Sequence, residues 1–410
     1  DPRDNSRREP STLVAELIDA AADYHAGDTD ALREALVVRH ALQPFSPAAF
    51  GAPHAGEHLQ GAIEPRRFSY DARWRAASTE SAGVADLPVF APPTLWLPEP
   101  EGARHLSIDR LRRSMMRPHA VYLQEGLGLR LPEDEPPLAE HEPMGDPDAL
   151  EQHALRHAVF DAWMRASGQP DAHALHARLL ARALVPQGAE GRALVADVLE
   201  YVAPFAELAL AKGFGDVARR VPFAWESSAG ALRGALEGAH RPGLLRVVLR
   251  ADGIHGGHAV RHGLEALCAS LVGQSLHELA RPDKTSPPEW RVRKPIAEAK
   301  ARKALDSLFA WQDAAVRTPL PFLPKSGHAY VQALAEKEPD AALRAARDTW
   351  MGTGWNADLA EATATTRVAL RGRDPFIDGD VEARARFAAL AEALFRTLDS
   401  GVPLPAEVLA

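Results

Sequence analysis

Residues 232–239 (LRGALEGA) and 244–249 (LLRVVL) are two short, largely apolar runs, and His240-Arg241-Pro242-Gly243 between them supplies the proline and glycine of a chain reversal. The pair predicts a β-hairpin. That constrains the fold more than any other feature, because the remaining periodic stretches read as helix. Leu13, Val14, Leu17, Ile18 and Ala21 recur at helical spacing, and helices are predicted over 30–38, 106–116, 150–167, 172–184, 191–212, 258–272, 298–311, 327–334, 341–350 and 382–398. A sheet embedded among helices is an α/β arrangement. At 410 residues the chain exceeds one ordinary core. The pattern divides it into a helical stretch (1–42), an extended proline-punctuated connector (43–105) and a helix-rich domain (106–410).

Charge and cysteine usage narrow the function classes. A formal charge of −9 excludes a uniformly basic coat for nucleic acid and leaves room for local basic patches. Cys268 is the single cysteine, so no disulfide forms within the chain and a reducing compartment is expected. No apolar run approaches the ~20 residues of a membrane helix, and no signal peptide opens the chain, which suits a cytoplasmic protein that is not membrane-bound. Asp1 is not a methionine, so the chain reads as excised from something longer.

The hairpin is similar to the central hairpin of PD-(D/E)XK nucleases. In those enzymes the first strand ends in an acid and the second carries acid-x-Lys; two carboxylates hold Mg²⁺ and the ammonium sits by the attacked phosphate. Glu237 fits the first acid position. The second strand offers Arg246-Val247-Val248, a cation and an aliphatic where acid and lysine belong. A shifted register would bring in Asp252, but then Ile254 replaces the lysine. Either alignment leaves the metal site degenerate, so the expected fold is nuclease-like, kept for binding, with no catalytic residue and no metal.

Other constellations are weaker. Of His255, His258 and His262, the last two are one helical turn apart, a spacing suited to a metal, yet Gly256-Gly257 loosens the first and no third ligand or general base follows at a fixed offset. Arg66, Arg67, Arg73 and Arg75 interleave with Phe68, Tyr70 and Trp74; such a segment either neutralises phosphates and stacks bases or anchors a connector by its aromatics. Lys284, Arg291, Arg293 and Lys294 belong to the densest basic run, 284–303. With Pro287, Pro288 and Trp290 it reads as a protruding loop able to meet DNA or a partner. Residues 133–151 hold eight acids and no Lys or Arg. No glycine-rich phosphate loop and no nucleophile elbow is present.

Several blocks together resemble the RecC (gamma) subunit family of exodeoxyribonuclease V. They are Arg3-Asp4-Asn5-Ser6, the PSTLVAEL run at 10–17, VRHALQPFSP at 38–47, FSYD at 68–71, LGLRLP at 127–132, EHEP at 140–143 and LPKS at 323–326. The resemblance implies the end of a helicase-like domain, a connector and a nuclease-like C-terminal domain without metal ligands. It also implies a bacterial, nucleoid-associated protein that works with RecB and RecD subunits and with DNA in recombinational repair of double-strand breaks. Mg²⁺ and ATP would be used by those partner subunits, with no cofactor in this chain. Residues that read the Chi sequence belong to the family's N-terminal part, so none is expected here. An autonomous Mg²⁺-dependent nuclease and a pure protein-docking module are the alternatives.

Overall fold

A computed structural model describes residues 11–43, 46–54, 63–69, 74, 105–131, 147–250, 253–283, 285–352, 360–372, 374–376 and 381–409. Contacts divide the chain into two units, Asp1–Leu87 and Pro88–Ala410. In the first, α1 (Thr12–Asp23) and α2 (Thr29–Leu36) form where periodicity predicts helix. Asp28 caps α2 by accepting from the Asp30 and Ala31 amides, and Arg33 of α2 ties the two helices through Asp19 of α1 (3.1 Å) while also pairing with Asp30 of its own helix (2.9 Å).

The second unit is built on a mixed sheet of β1 (His105–Ser107), β2 (Arg219–Ser227), β3 (Gly230–Ala239), β4 (Leu244–Val248), β5 (Leu276–Ala280) and β6 (Glu289–Arg293). The order is β1-β3-β4-β5-β6, with β2 beside β3. Strand β2 runs antiparallel along almost all of β3, from Ser227↔Gly230 to Arg219↔Ala239. A strand has two hydrogen-bonding edges, so β1 (parallel at 231–233) and β4 share the edge that β2 leaves.

The predicted hairpin is therefore real but short. His240 and Gly243 close the turn, and only Ala239↔Leu244 pair across it. Beyond that point β4 leaves β3 and runs parallel to β5, from Leu244↔Leu276 to Val248↔Ala280. The long hairpin is β2–β3. Sequence pattern hides it because β2 opens on two arginines and contains Pro222, a residue sheets accept on edge strands, where one backbone N–H is not needed.

The helices of this unit are α3 (Ile108–Met116), α4 (Pro118–Val121), α5 (Ala149–Ala166), α6 (Ala172–Leu180), α7 (Gly188–Ala211), α8 (Gly256–Ser270), α9 (Glu298–Arg317), α10 (Pro324–Leu334), α11 (Pro339–Met351), α12 (Ala364–Ala369) and α13 (Val381–Ser400). They cover both faces of the sheet, and β4 shows why. Its side chains alternate by strand geometry. Leu244 enters a core shared with Leu111 of α3, Leu264 of α8, Leu308 of α9 and Leu394 of α13. Leu245 and Val247, with Leu249 just beyond, enter a second core with Trp163 of α5, Leu179 of α6 and Phe205 of α7. The result is a three-layer α/β/α unit, and two-sided burial explains the nearly continuous apolar run of β4.

Helix α8 lies between the sheet and the outer helices with most of its circumference buried. Its Gly263 allows that: a β-carbon there would stand 2.6 Å from the Leu398 Cβ of α13. Two expectations are corrected. Residues 105–107 are strand, with Ser107 then capping α3, so the first element of this unit is not purely helical. The basic segment expected as a protruding loop holds β6, and its Trp290 turns inward against Phe214 (5.3 Å) and His277 (5.5 Å). In the acid-rich stretch, 132–146 lie outside the described residues. Asp148 and Glu151 form the capping box of α5, each accepting a hydrogen bond from the other's backbone amide.

Candidate functional site

Of the hairpin residues compared with a nuclease site, Glu237 is exposed on β3 and pairs with Arg220 of the neighbouring β2 at 2.9 Å. Arg246 on β4 points to the α8 face. Its Nε donates to Glu265 Oε2 of α8 at 2.5 Å, and its Nη1 donates to the Leu245 carbonyl at 2.8 Å. Arg112 of α3 stands 3.9 Å from the other Glu265 oxygen. The guanidinium also crosses close to Gly238, which has φ +66° and leaves only 3.1 Å between a would-be β-carbon and Arg246 Nη1. Val248 is buried. Glu237 and Arg246 thus serve two different ion pairs and do not converge. Sequence pattern missed Glu265, though its one-turn spacing from Arg261 and His262 places it on a definable helix face.

The next strands continue a polar row under α8. In register, Arg246 faces Glu278 of β5, and Glu278 faces Arg291 of β6. Glu278 is buried; His262 Nδ1 meets its Oε1 at 2.8 Å and Arg293 Nε lies 3.2 Å from the same oxygen. Burial opposes ionisation of Glu278, but the His262 hydrogen bond and the Arg293 charge outweigh it and hold the carboxyl below its ordinary range. Arg293 continues to Asp399 of α13 at 2.9 Å. Glu278, Arg291 and Arg293 line a cleft of about 720 Å³ between β5–β6, α10 and α13, whose charged walls balance: Arg281, Arg291, Arg293 and Arg396 against Glu278, Glu289, Glu392 and Asp399.

His255, His258 and His262 do come together, with ring centroids 4.0 Å and 5.9 Å apart along α8. His262 is committed to Glu278, and among the described residues no three His, Cys, Asp or Glu side chains are placed to hold a metal ion.

The basic candidates separate. Arg67 is 2 % exposed and turned into the first unit, with Nη1 3.4 Å from the Ala52 carbonyl, so its guanidinium does not face solvent as a phosphate contact must. Arg66 is half-exposed, bidentate to Glu64 at 2.8 Å and in contact with the Ala35 carbonyl, so its guanidinium is largely spoken for. Arg293 serves Glu278 and Asp399. Arg291 and Lys294 are exposed. Arg73, Arg75, Lys284 and Asp252 lie outside the described residues.

A family model described as the RecC C-terminal domain matches residues 103–335, more than half of the chain. The chain belongs to this RecC family. Among curated proteins it is similar to the RecBCD enzyme subunit RecC of Escherichia coli (strain K12), with 25% identity over 353 residues, 83% of this chain. The match covers 29% of that relative, so the chain spans less than a third of the length of the curated RecC it resembles. The family match begins just ahead of β1 and ends just after α10, and it takes in the whole sheet and the Arg246–Glu265 and Glu278–His262–Arg293 contacts. No helix among the described residues is long and apolar enough to cross a membrane.

Proposed function

We propose that this chain is a non-catalytic C-terminal part of a RecC-type subunit, with a PD-(D/E)XK nuclease-like domain whose metal site is degenerate. In this reading it docks a RecB-type partner and guides DNA at the point where a RecBCD-type enzyme splits the duplex in double-strand break repair. The observation that carries the reading is Arg246. On the strand where a cutting enzyme needs a carboxylate, a guanidinium is held by Glu265, and Val248 takes the place of the lysine. Phosphodiester cleavage of this kind needs both the ion and its positioning ligands. Membership of the RecC family, with a relative named as a RecBCD subunit, supports the assembly role. Mg²⁺ and ATP would then be handled by RecB- and RecD-type partners in the bacterial cytoplasm, at the nucleoid.

Exposed Arg291 and Lys294 on and beside β6 are the candidates from this region for contact with DNA. The test is binding of a forked duplex by the purified chain and its co-purification with a RecB-type subunit. Arg291→Glu with Lys294→Glu should weaken fork binding and flatten its salt dependence. A chain that binds the partner and ignores the fork is a docking module and not a DNA guide.

A further inference from the structure

Strand β6 is the last of its sheet. It pairs with β5 along its whole length, from Ala280↔Glu289 to Leu276↔Arg293, and among the described residues no strand lies along its other side. That outer edge carries a row of unpaired backbone N–H and C=O groups, which is a template for one more strand.

Side chains alternate along the edge. Glu289, Arg291 and Arg293 line the 720 Å³ cleft, while Trp290 packs on Phe214 on the opposite face and Val292 shares that face with it. Arg293 is committed to Glu278 and Asp399. Glu289 and Arg291 are exposed, and among the described residues neither side chain has a hydrogen-bond or ion-pair partner. Val292 is 43% exposed, so the other face of the edge offers uncovered apolar surface. Across the cleft α13 repeats the two signs with Glu392 and, one turn on, exposed Arg396.

Charge on an edge strand guards it against pairing with any passing strand. Here the guard is of mixed sign, so it also selects: a strand with the opposite signs in the opposite places meets attraction where others meet repulsion. A second copy of β6 does not meet that requirement. Antiparallel pairing centred on Arg291 and parallel pairing in register both set two Arg291 side chains against each other.

We propose that the outer edge of β6 binds an extended peptide segment of a partner protein by strand addition. The segment carries a carboxylate opposite Arg291, a basic side chain opposite Glu289 and apolar residues opposite Trp290 and Val292. In the antiparallel sense its pattern is Val-Glu-Val-Lys. Main-chain hydrogen bonds along β6 supply affinity, and the alternate side chains supply selectivity. The proposal rests on the docking half of the proposed function and gives Arg291 to the partner, with Lys294 left to DNA.

The test uses the full chain and anisotropy titrations of fluorescein-labelled peptides, in which Val-Glu-Val-Lys, Val-Glu-Val-Glu or Val-Lys-Val-Lys is flanked by threonines. The mixed peptide should bind about three- to tenfold tighter than either single-sign peptide, through a matched pair gained and a like-charge pair avoided. Glu289→Lys should move the preference to Val-Glu-Val-Glu, and Arg291→Glu should move it to Val-Lys-Val-Lys; both side chains are exposed, so the variants should melt as wild type. N-methylation of the alternate peptide amides that donate to β6 should abolish binding, and methylation of the other set should be tolerated. Equal binding of the three peptides, a preference that neither variant moves, or indifference to methylation overturns strand addition here. Capture of a RecB-type subunit by a chain that binds no peptide overturns this surface and leaves the proposed function standing. Failure to bind either one overturns both. A wild-type dimer in sedimentation, with its β6 amides protected from hydrogen exchange, would assign the edge to a second copy and overturn the peptide assignment.

Discussion

Replacing Arg246 tests the ion pair that joins β4 to α8. The Arg246 and Glu265 side chains are 15% and 10% exposed, so Arg246→Ala leaves a carboxylate nearly cut off from water. Breaking a buried pair from one side costs about 3–5 kcal/mol. Residual solvent contact and the Arg112 guanidinium at 3.9 Å offset part of this, so about 2–3 kcal/mol is expected here. Urea unfolding at pH 7 measures it directly. In a melt, a unit of roughly 320 residues with ~2.1 cal/mol/K each loses about 3–4 °C for that energy. Arg246→Met with Glu265→Met removes both charges and should restore most of the loss, a coupling of about 2 kcal/mol. Loss below about 0.5 kcal/mol in Arg246→Ala, or strictly additive single substitutions, would refute the reasoning, because the guanidinium would then not be compensating Glu265.

Two further outcomes follow from buried side chains. Burial pushes His119 down to about 4, against a hydrogen bond with the Leu320 backbone. Above an unfolded value of ~6.5 neither state binds the proton and stability is full. As pH falls from 6.5 to 4 the unfolded chain takes up a proton the folded one refuses, and up to about 3 kcal/mol is lost. His119→Gln should narrow the gap between urea midpoints at pH 7 and pH 4.5; an unchanged gap counts against the burial argument. Trp290→Ala should cost about 2–4 kcal/mol through loss of its contacts with Phe214 and His277, whereas exposed Arg291→Ala, its neighbour on the other face of β6, should stay within about 0.5 kcal/mol. Equal effects at the two positions would mean that this segment is not a strand with an inner and an outer face.

The helices were legible because their apolar spacing is generated locally: Ala149–Ala166, Gly188–Ala211 and Val381–Ser400 lie within a few residues of their predicted bounds. Strands were harder to read. The sequence LHELA of β5 carries His277 and Glu278 and shows no continuous apolar run; it becomes strand because parallel pairing with β4 and antiparallel pairing with β6 satisfy its backbone. Its buried Glu278 is tolerated because His262 and Arg293 come from distant segments, which no local pattern announces. The absent acid-x-Lys of β4 was visible in sequence, since it depends on residue type at two positions. The pairing of Arg246 with Glu265 was not, because it depends on how α8 crosses the sheet.

Linear duplex DNA incubated with the purified chain and millimolar Mg²⁺ addresses the central claim most directly. The account predicts binding without cleavage, unchanged by Glu237→Ala. Mg²⁺-dependent cleavage that Glu237→Ala abolishes would contradict it.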